Sequence, residues 1–385
     1  MDQIPLLSLI TMFVVFMSMF FALFLFTVKT KKRQSNILIG FFFITIAINI
    51  SVFFYKYYYE NFPLSLNLLR DQIAFLSNPL LYLYLLSAIY TDFRLRAIHF
   101  LHLLPFIAVL LVYYPNFYGL GVNAQHIFVE NFQSRPETRF SFVFGYLQAA
   151  FYLVLMFFEL SRYKKLLLEN FSNSDNFNFK WLYQLTLLMS VLYFFSLFKN
   201  IFKYVSEDTV QLNNLRILMI FLLLGFTSWI VFKSMYHPEL FRGIASDLKL
   251  VRNIASENSK NQKMDYVSND GGSINSLIAL LKKHMVETEP YLDPTLTVQN
   301  LADQLNIPSR ELSILINQNL NMHFFDFINS YRIEKAKRIL IEPEKKKMTV
   351  LEILYEVGFN SKSSFNTAFK KHTGTTPTNY RKSNS

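Results

Sequence analysis

Residues 349–381 read T-V-L-E-I-L-Y-E-V-G-F-N-S-K-S-S-F-N-T-A-F-K-K-H-T-G-T-T-P-T-N-Y-R. Ile353, Leu354 and Val357 recur at helical spacing, and Gly358 stops that helix where a backbone with positive φ is easiest. Asn360 or Ser361 is placed to cap a second helix, whose Phe365, Ala368 and Phe369 form one apolar stripe. Lys362, Ser363, Asn366, Thr367 and Lys370 fall on its other face. Helix, tight turn and a polar, basic second helix make the pattern of a helix-turn-helix.

Working outward, an earlier copy of the pattern appears. Residues 298–305 form a short helix that stops at Asn306, and Pro308 or Ser309 opens the next. There Leu312, Leu315 and Ile316 face inward, while Arg310, Ser313, Ile314 and Asn317 face outward. Leu301, Leu305 and Ile307 match Ile353, Val357 and Phe359 at constant separation. Leu312 and Ile316 match Phe365 and Phe369 after one inserted residue, so this is an internal repeat. Between the copies, residues 324–341 read as one rigid helix with Phe327, Ile328, Tyr331, Ala336 and Ile339 apolar. Such a joint fixes the separation of two units, and successive major grooves on one face lie roughly 34 Å apart.

Upstream the composition changes. Over the whole 385 residues 52% are hydrophobic and Phe alone counts 42, more than a soluble core requires. Residues 4–28 are almost wholly apolar and are followed by Lys29, Lys31, Lys32 and Arg33, the reverse of a signal peptide. Six more apolar stretches near bilayer length follow at about 36–55, 73–90, 97–114, 140–160, 181–199 and 215–235. Seven spans fit best, with six or eight the alternatives. Trp181, Trp229 and many tyrosines near the segment ends suit an interfacial aromatic belt.

Basic residues crowd alternate loops: Lys29 to Arg33, then Arg94 and Arg96, then Arg162, Lys164, Lys165 and Lys180. The intervening loops hold only Lys56 and Arg70, or Arg135 and Arg139, although Lys199, Lys203 and Arg216 near the sixth loop fit less well. The positive-inside rule then puts the N-terminus outside and the C-terminus in the cytoplasm. Asn49, Asn78, Gln148 and Gln184 inside the spans, with His99, His102 and Glu159 nearer the ends, read as interhelical hydrogen-bonding glue. With no charged pair read at mid-depth, a pump or carrier is disfavoured.

The expected fold class is therefore all-α. Residues 1–240 form a polytopic transmembrane sensor, and residues 241–273 a juxtamembrane segment and linker. Residues 274–385 form a soluble domain with two helix-turn-helix units. Within 241–273, residues 245–254 fit a short amphipathic helix, and 256–273 a polar chain spanning on the order of 20–25 Å.

E-V-G-F-N-S-K-S-S-F-N-T-A-F-K-K followed by G-T-T-P-T-N-Y-R resembles the AraC/XylS-type DNA-binding domain. L-A-D-Q-L-N-I-P-S-R-E-L-S and F-I-N-S-Y-R-I-E-K-A-K extend the resemblance over about residues 275–382. It implies two helix-turn-helix units on a central helix and, with the spans, a membrane-anchored bacterial regulator in the cytoplasmic membrane. Leu354 departs from the family's usual small Ala, and Asn321 from its usual Gly, which Asn replaces by tolerating positive φ.

Position on the helices assigns base edges to Arg310, Ser313 and Ile314 in the first unit, and to Lys362, Ser363, Asn366 and Thr367 in the second. Lys370, Lys371 and Arg381 suit phosphates. Residues 361–385 contain no acid, and the chain's net charge of +11 fits nucleic acid or anionic lipid. The implied partners are double-stranded promoter DNA, membrane lipid, the transcription machinery, a second copy of the chain, and a ligand or membrane partner. The competing reading is a membrane receptor whose helical module binds a protein. The chain has no cysteine, phosphate loop, H-E-x-x-H pair or nucleophile elbow, so neither an enzyme nor a cofactor or metal site is expected.

Overall fold

The computed structural model describes residues 6–30, 33–53, 62–90, 92–172, 177–206, 208–236 and 271–384. The expected amphipathic helix at 245–254, and the linker up to residue 270, lie outside the described residues. Contacts divide the chain into two units: Met1–Leu160 with Trp181–Ser246, and Ser161–Lys180 with Asp247–Ser385. Among the described residues the secondary structure is helical, apart from an isolated β-bridge.

Seven helical stretches, in the first unit apart from the end of α6 and the start of α7, are long and apolar enough to cross a bilayer, as expected. They are α1 (Leu6–Thr27), α2 (Arg33–Ile50), α3 (Leu64–Ile89), α4 (Ala97–Tyr118), α6 (Pro136–Asn170), α7 (Phe177–Val205) and α8 (Thr209–Tyr236). A short α5 (Val122–Glu130) lies between α4 and α6. Phe16, Phe20, Phe158 and Phe194 are each more than 60% exposed, a surface that hydrocarbon solvates far better than water. α1 packs on α2 and α8, and α2 packs on α3.

Two expectations need correction here. The third stretch begins at Leu64 rather than residue 73, so Arg70 lies inside a helix and not in a loop. There it is buried and ion-paired to Asp71 at 2.5 Å, the charged pair that hydropathy alone passed over. Nor does Trp181 belong to an interfacial belt. It is buried, stacks on Trp229 with ring centroids 5.2 Å apart, and donates its indole N–H to the Tyr84 hydroxyl at 2.8 Å.

Of the polar residues read as glue, Gln148, Gln184, Glu159 and His102 join helices through their side chains, whereas His99 bonds within its own turn, to the Arg96 N–H. Gln148 Nε2 donates to the Phe75 carbonyl at 2.9 Å, and Lys233 Nζ donates to Gln184 Oε1 at 2.7 Å. Tyr90 donates to Glu159 at 2.8 Å, and His102 Nδ1 shares a 2.7 Å bond with the Tyr152 hydroxyl.

The second unit holds α9 (Gly271–Glu287), α10 (Val298–Gln304), α11 (Ser309–Ile314, continued by a π-turn through Leu315–Asn319) and α12 (Phe324–Ile341). α13 (Val350–Glu356), α14 (Lys362–Thr373) and α15 (Pro377–Asn384) complete it. Two cores share α12. Its Phe324, Phe327 and Ile328 pack with Leu301, Leu312 and Ile316, while its Ile333, Ala336 and Ile339 pack with Ile353, Phe365 and Phe369. The sequence repeat is thus a structural repeat with one helix in common.

The same unit includes the segment between α6 and α7. Phe171 bridges antiparallel to Thr297, and Ser172 N–H donates to the Leu296 carbonyl at 3.2 Å. Ser172 also meets Arg332 of α12, which is 1% exposed. The five guanidinium donors find five acceptors. Nε donates to Tyr291 O at 2.6 Å, Nη1 to Ser172 O at 3.0 Å and Asn329 Oδ1 at 3.3 Å. Nη2 donates to Ser172 Oγ at 3.1 Å and Asp293 O at 2.8 Å.

Gly358 has φ of 88°, and a Cβ there would meet the Tyr291 and Leu292 carbonyl oxygens at 2.6 and 2.7 Å. The left-handed backbone penalty of about 1–2 kcal/mol and an overpacking cost of about 1–3 kcal/mol act together. Because both cores are drawn from residues after 270, a fragment spanning residues 270–385 is expected to melt cooperatively by circular dichroism. Gly358→Ala should lower its stability by about 2–5 kcal/mol, and an unchanged melt would contradict the packing described.

Candidate nucleic-acid interface

Each helix-turn-helix unit is set by local chemistry. Thr297 caps α10 in a reciprocal box with Asn300, and Thr349 caps α13 in the same way with Glu352. The Thr349 backbone N–H, donated to the Glu352 carboxylate, holds that group below its ordinary carboxylate range. The turns then need left-handed backbone, supplied by Asn306 at φ 56° in the first unit and Gly358 in the second. Asn321 adopts φ 51°, the conformation expected of a glycine substitute. Of the two candidate caps for α14, Ser361 does the work: its Oγ accepts from Ser364 N–H at 3.1 Å.

Each second helix buries its apolar stripe and presents the opposite face. On α11, Leu312 is buried while Arg310 and Ile314 are exposed and Ser313 is half-buried. The π-turn that continues α11 buries Leu315 and Ile316 and places Asn317 beside Ser313, with Asn317 Nδ2 donating to Ser313 Oγ at 3.1 Å. On α14, Phe365, Ala368 and Phe369 are buried. Lys362, Ser363, Thr367, Lys370 and Lys371 are exposed, and Asn366 is half-buried. α12 between the units is 18 residues long, about 27 Å at the α-helical rise.

Lys362, Asn366, Thr367, Lys370 and Lys371 line one open groove, together with Leu351 of α13 and Thr376 and Thr378 at the start of α15. Leu351, Thr376 and Thr378 were missed by the sequence reading. Helical periodicity sorts residues within α14, but only the fold shows which neighbouring segments flank it. Two of the expected phosphate ligands have additional surroundings. Lys371 is ion-paired with Asp326 of α12 at 2.6 Å, and Arg381 is half-buried. Lys370, Lys371 and His372 also occupy the last turn of α14, where cations complement the helix dipole.

Residues 301–383 match the model of a helix-turn-helix domain family. The C-terminal domain is an AraC-type helix-turn-helix domain. Its curated relatives include the HTH-type transcriptional regulator YdeC of Bacillus subtilis, 32% identical over 90 residues, which are 23% of this chain and 30% of that protein. The Msm operon regulatory protein of Streptococcus mutans is 28% identical over 88 residues, 23% of this chain and 31% of the relative. The chain therefore spans less than a third of either relative's length. Among solved structures, the C-terminal domain of the response regulator yesN from Fusobacterium nucleatum is 32% identical, with 28% of this chain and 98% of that chain covered at a TM-score of 0.24. The C-terminal domain of AraT from Geobacillus stearothermophilus is 28% identical, with 27% and 84% covered, also at 0.24.

Within the AraC-type domain, the pairing of Lys371 with Asp326 sets up a competition. A phosphate at Lys371 would have to share its ammonium with the Asp326 carboxylate, whose like charge repels it. Asp326 is half-buried in the first turn of α12, so Asp326→Ala should cost the domain about 1–2 kcal/mol, from the ion pair and the helix dipole together. It should also strengthen binding to any duplex and steepen the salt dependence by about one unit, as one more phosphate is neutralised. Fluorescence anisotropy across salt concentrations measures both, and a slope unchanged from wild type would show that Lys371 stays off the backbone.

Proposed function

We propose that the chain is a one-component transcription regulator of the bacterial cytoplasmic membrane, its spans sensing a signal and its AraC-type domain binding a promoter. The observation that carries this reading is a single chain joining seven helices of bilayer length to two exposed recognition helices built as a repeat. Residues 1–240 would be the sensor, 241–273 the tether and 274–385 the DNA-binding domain. The alternating basic loops support an external N-terminus and a cytoplasmic C-terminus.

On DNA, Arg310 suits a guanine, Asn366 an adenine and Ile314 a thymine methyl, while Ser313, Lys362, Ser363 and Thr367 complete the base-facing set. Lys370 takes phosphate, joined by Lys371 and Arg381. Exposed Leu351 and Tyr355, half or more accessible on α13, favour a protein contact on the same domain. The transcription machinery is one such partner, and a purely protein-binding module is the second reading. The segment containing Ser172 gives the sensor a covalent route to the domain, since it follows α6 and precedes α7 in the chain and bonds to Arg332.

Reporter fusions should place Ser134 outside and Ser172 inside, and the reverse assignment would overturn the charge argument. With the 270–385 fragment, Arg310→Ala and Asn366→Ala should each cost about 1–3 kcal/mol on the preferred site and flatten its preference. Lys370→Ala should weaken all sequences alike. Failure of the fragment to bind any DNA at low salt would promote the protein-binding reading. Ser172→Pro removes the N–H given to Leu296. It should change promoter affinity at least threefold in the full-length protein, and an unchanged affinity would remove the route through this segment.

A further inference from the structure

The first unit holds a half-open cavity of about 500 Å³ between α2, α3, α6, α7 and α8. That volume is within the roughly 300–1,000 Å³ of small-molecule sites. Along the cavity's α3 wall, residues Ala74–Leu76 tighten into a 3-10 turn between Leu64–Ile73 and Ser77–Ile89. Gln148 satisfies the Phe75 carbonyl at this turn, and the space beside it stays open. Irregular backbone at such depth is tolerated where protein buries it or where it lines a cavity.

The lining combines apolar residues, among them Phe42, Ile46, Leu192 and Leu223, with charged ones. Arg70 lines it already engaged, by Asp71 at 2.5 Å and by the Asn49 carbonyl. Lys199 of α7 and Arg216 of α8 line it too, near enough to repel each other, and neither has a carboxylate partner among the described residues. Both are half-buried, and two cations this near each other are stabilised by an anion between them. A third feature is independent of charge. Asn78, 4% exposed, lines the cavity beside the Tyr193 hydroxyl, which its amide engages, while its buried Oδ1 has no hydrogen-bond donor among the described residues.

We propose that this cavity is the sensor's ligand site, and that it binds a small anionic amphiphile whose head lies between Lys199 and Arg216, whose tail lies on the apolar lining, and which donates one hydrogen bond to Asn78. This rests on the sensory reading of the membrane part given above. Arg70, Lys199 and Arg216 are each six or seven residues from the ends of their helices at Leu64, Val205 and Thr209. That is about 10 Å of helical rise, at the ends which the basic-loop pattern directs outward. The head group is therefore within reach of the external medium and of the outer leaflet alike. A dissolved organic acid and an anionic lipid share this chemistry.

The probe is N-decanoylglycine, which has a carboxylate, an amide N–H and an apolar chain, with its uncharged methyl ester as the comparison. Full-length protein in phosphatidylcholine nanodiscs is titrated by calorimetry. The acid should bind at least tenfold more tightly than the ester. Lys199→Gln with Arg216→Gln should lose at least tenfold, Asn78→Leu at least threefold, and Lys199→Arg with Arg216→Lys should retain binding. Nanodiscs containing phosphatidylglycerol separate the two sources. Competition that vanishes in the glutamine pair identifies a lipid occupant, and no competition identifies a dissolved acid; either supports the site. Equal binding of acid and ester, no binding of either, or an unaffected glutamine pair overturns it. DNA binding by the 270–385 fragment is measured separately, so loss of the ligand site and loss of the regulator reading give different results.

Discussion

A single buried guanidinium organises the DNA-binding domain. Arg332 sits on α12 where the first core ends and the second begins, between Ile328 and Ile333. An arginine at this depth is tolerable only if every donor is satisfied, and here carbonyl, hydroxyl and amide oxygens take all five. Burial pulls it down to about 10, and Asp293 acts the other way, so it stays charged at neutral pH. Its guanidinium also lies over the Phe359 ring, 5.5 Å from the centroid. The chain before the first unit, the shared helix and the turn of the second unit therefore meet at one side chain.

That junction explains why neighbouring positions tolerate so little. The carbonyl of Tyr291 accepts from Arg332 and also fills the space where a Cβ on Gly358 would stand. The turn of the second unit is thus pressed against the very backbone that the arginine holds. Glu289 reinforces the same corner. Its carboxylate accepts from Lys335 at 2.5 Å and from the Tyr291 hydroxyl at 2.7 Å, and the Lys335 bond above all holds it below its ordinary range. A carboxyl so depressed stabilises the fold above its unfolded pKa and loses that contribution as pH falls through the folded value. Acid therefore weakens the corner around Glu289, as it weakens the Thr349–Glu352 cap of α13.

Much of this was legible in the sequence because it is carried by periodicity. The seven apolar stretches, the repeated helix-turn-helix and the inward stripes of α11 and α14 all follow from hydrophobic spacing, which burial enforces directly. What periodicity does not carry stayed hidden. Arg332 reads as one more surface cation on a helix rich in Lys and Arg, since only the convergence of distant carbonyls reveals its burial. Arg70 and Asp71 read as the end of a loop, because a hydropathy window penalises charges regardless of whether they pair. Trp181 reads as an interfacial anchor because position along a helix is visible in sequence and the facing helix is not. For Arg332 and Trp181 the deciding partner lies far away in the chain, whereas for Arg70 it is the next residue, hidden by the charge penalty rather than by distance.

The arrangement around Arg332 also bounds how strongly the α6–α7 segment can act on the domain. Ser172 supplies two of the five acceptors, its carbonyl and its hydroxyl. Hydrogen bonds to a charged group contribute about 1.5–3 kcal/mol each, and water replaces part of that if the segment withdraws. The difference between the docked and withdrawn states is then a few kcal/mol at most, against about 1.4 kcal/mol for each tenfold change in an equilibrium. This is too little to unfold two cores that do not include Ser172. It is the size that changes the occupancy of a contact by about one or two powers of ten. Any change in how the segment seats falls first on the shared helix α12, because Arg332 ties that helix to Ser172.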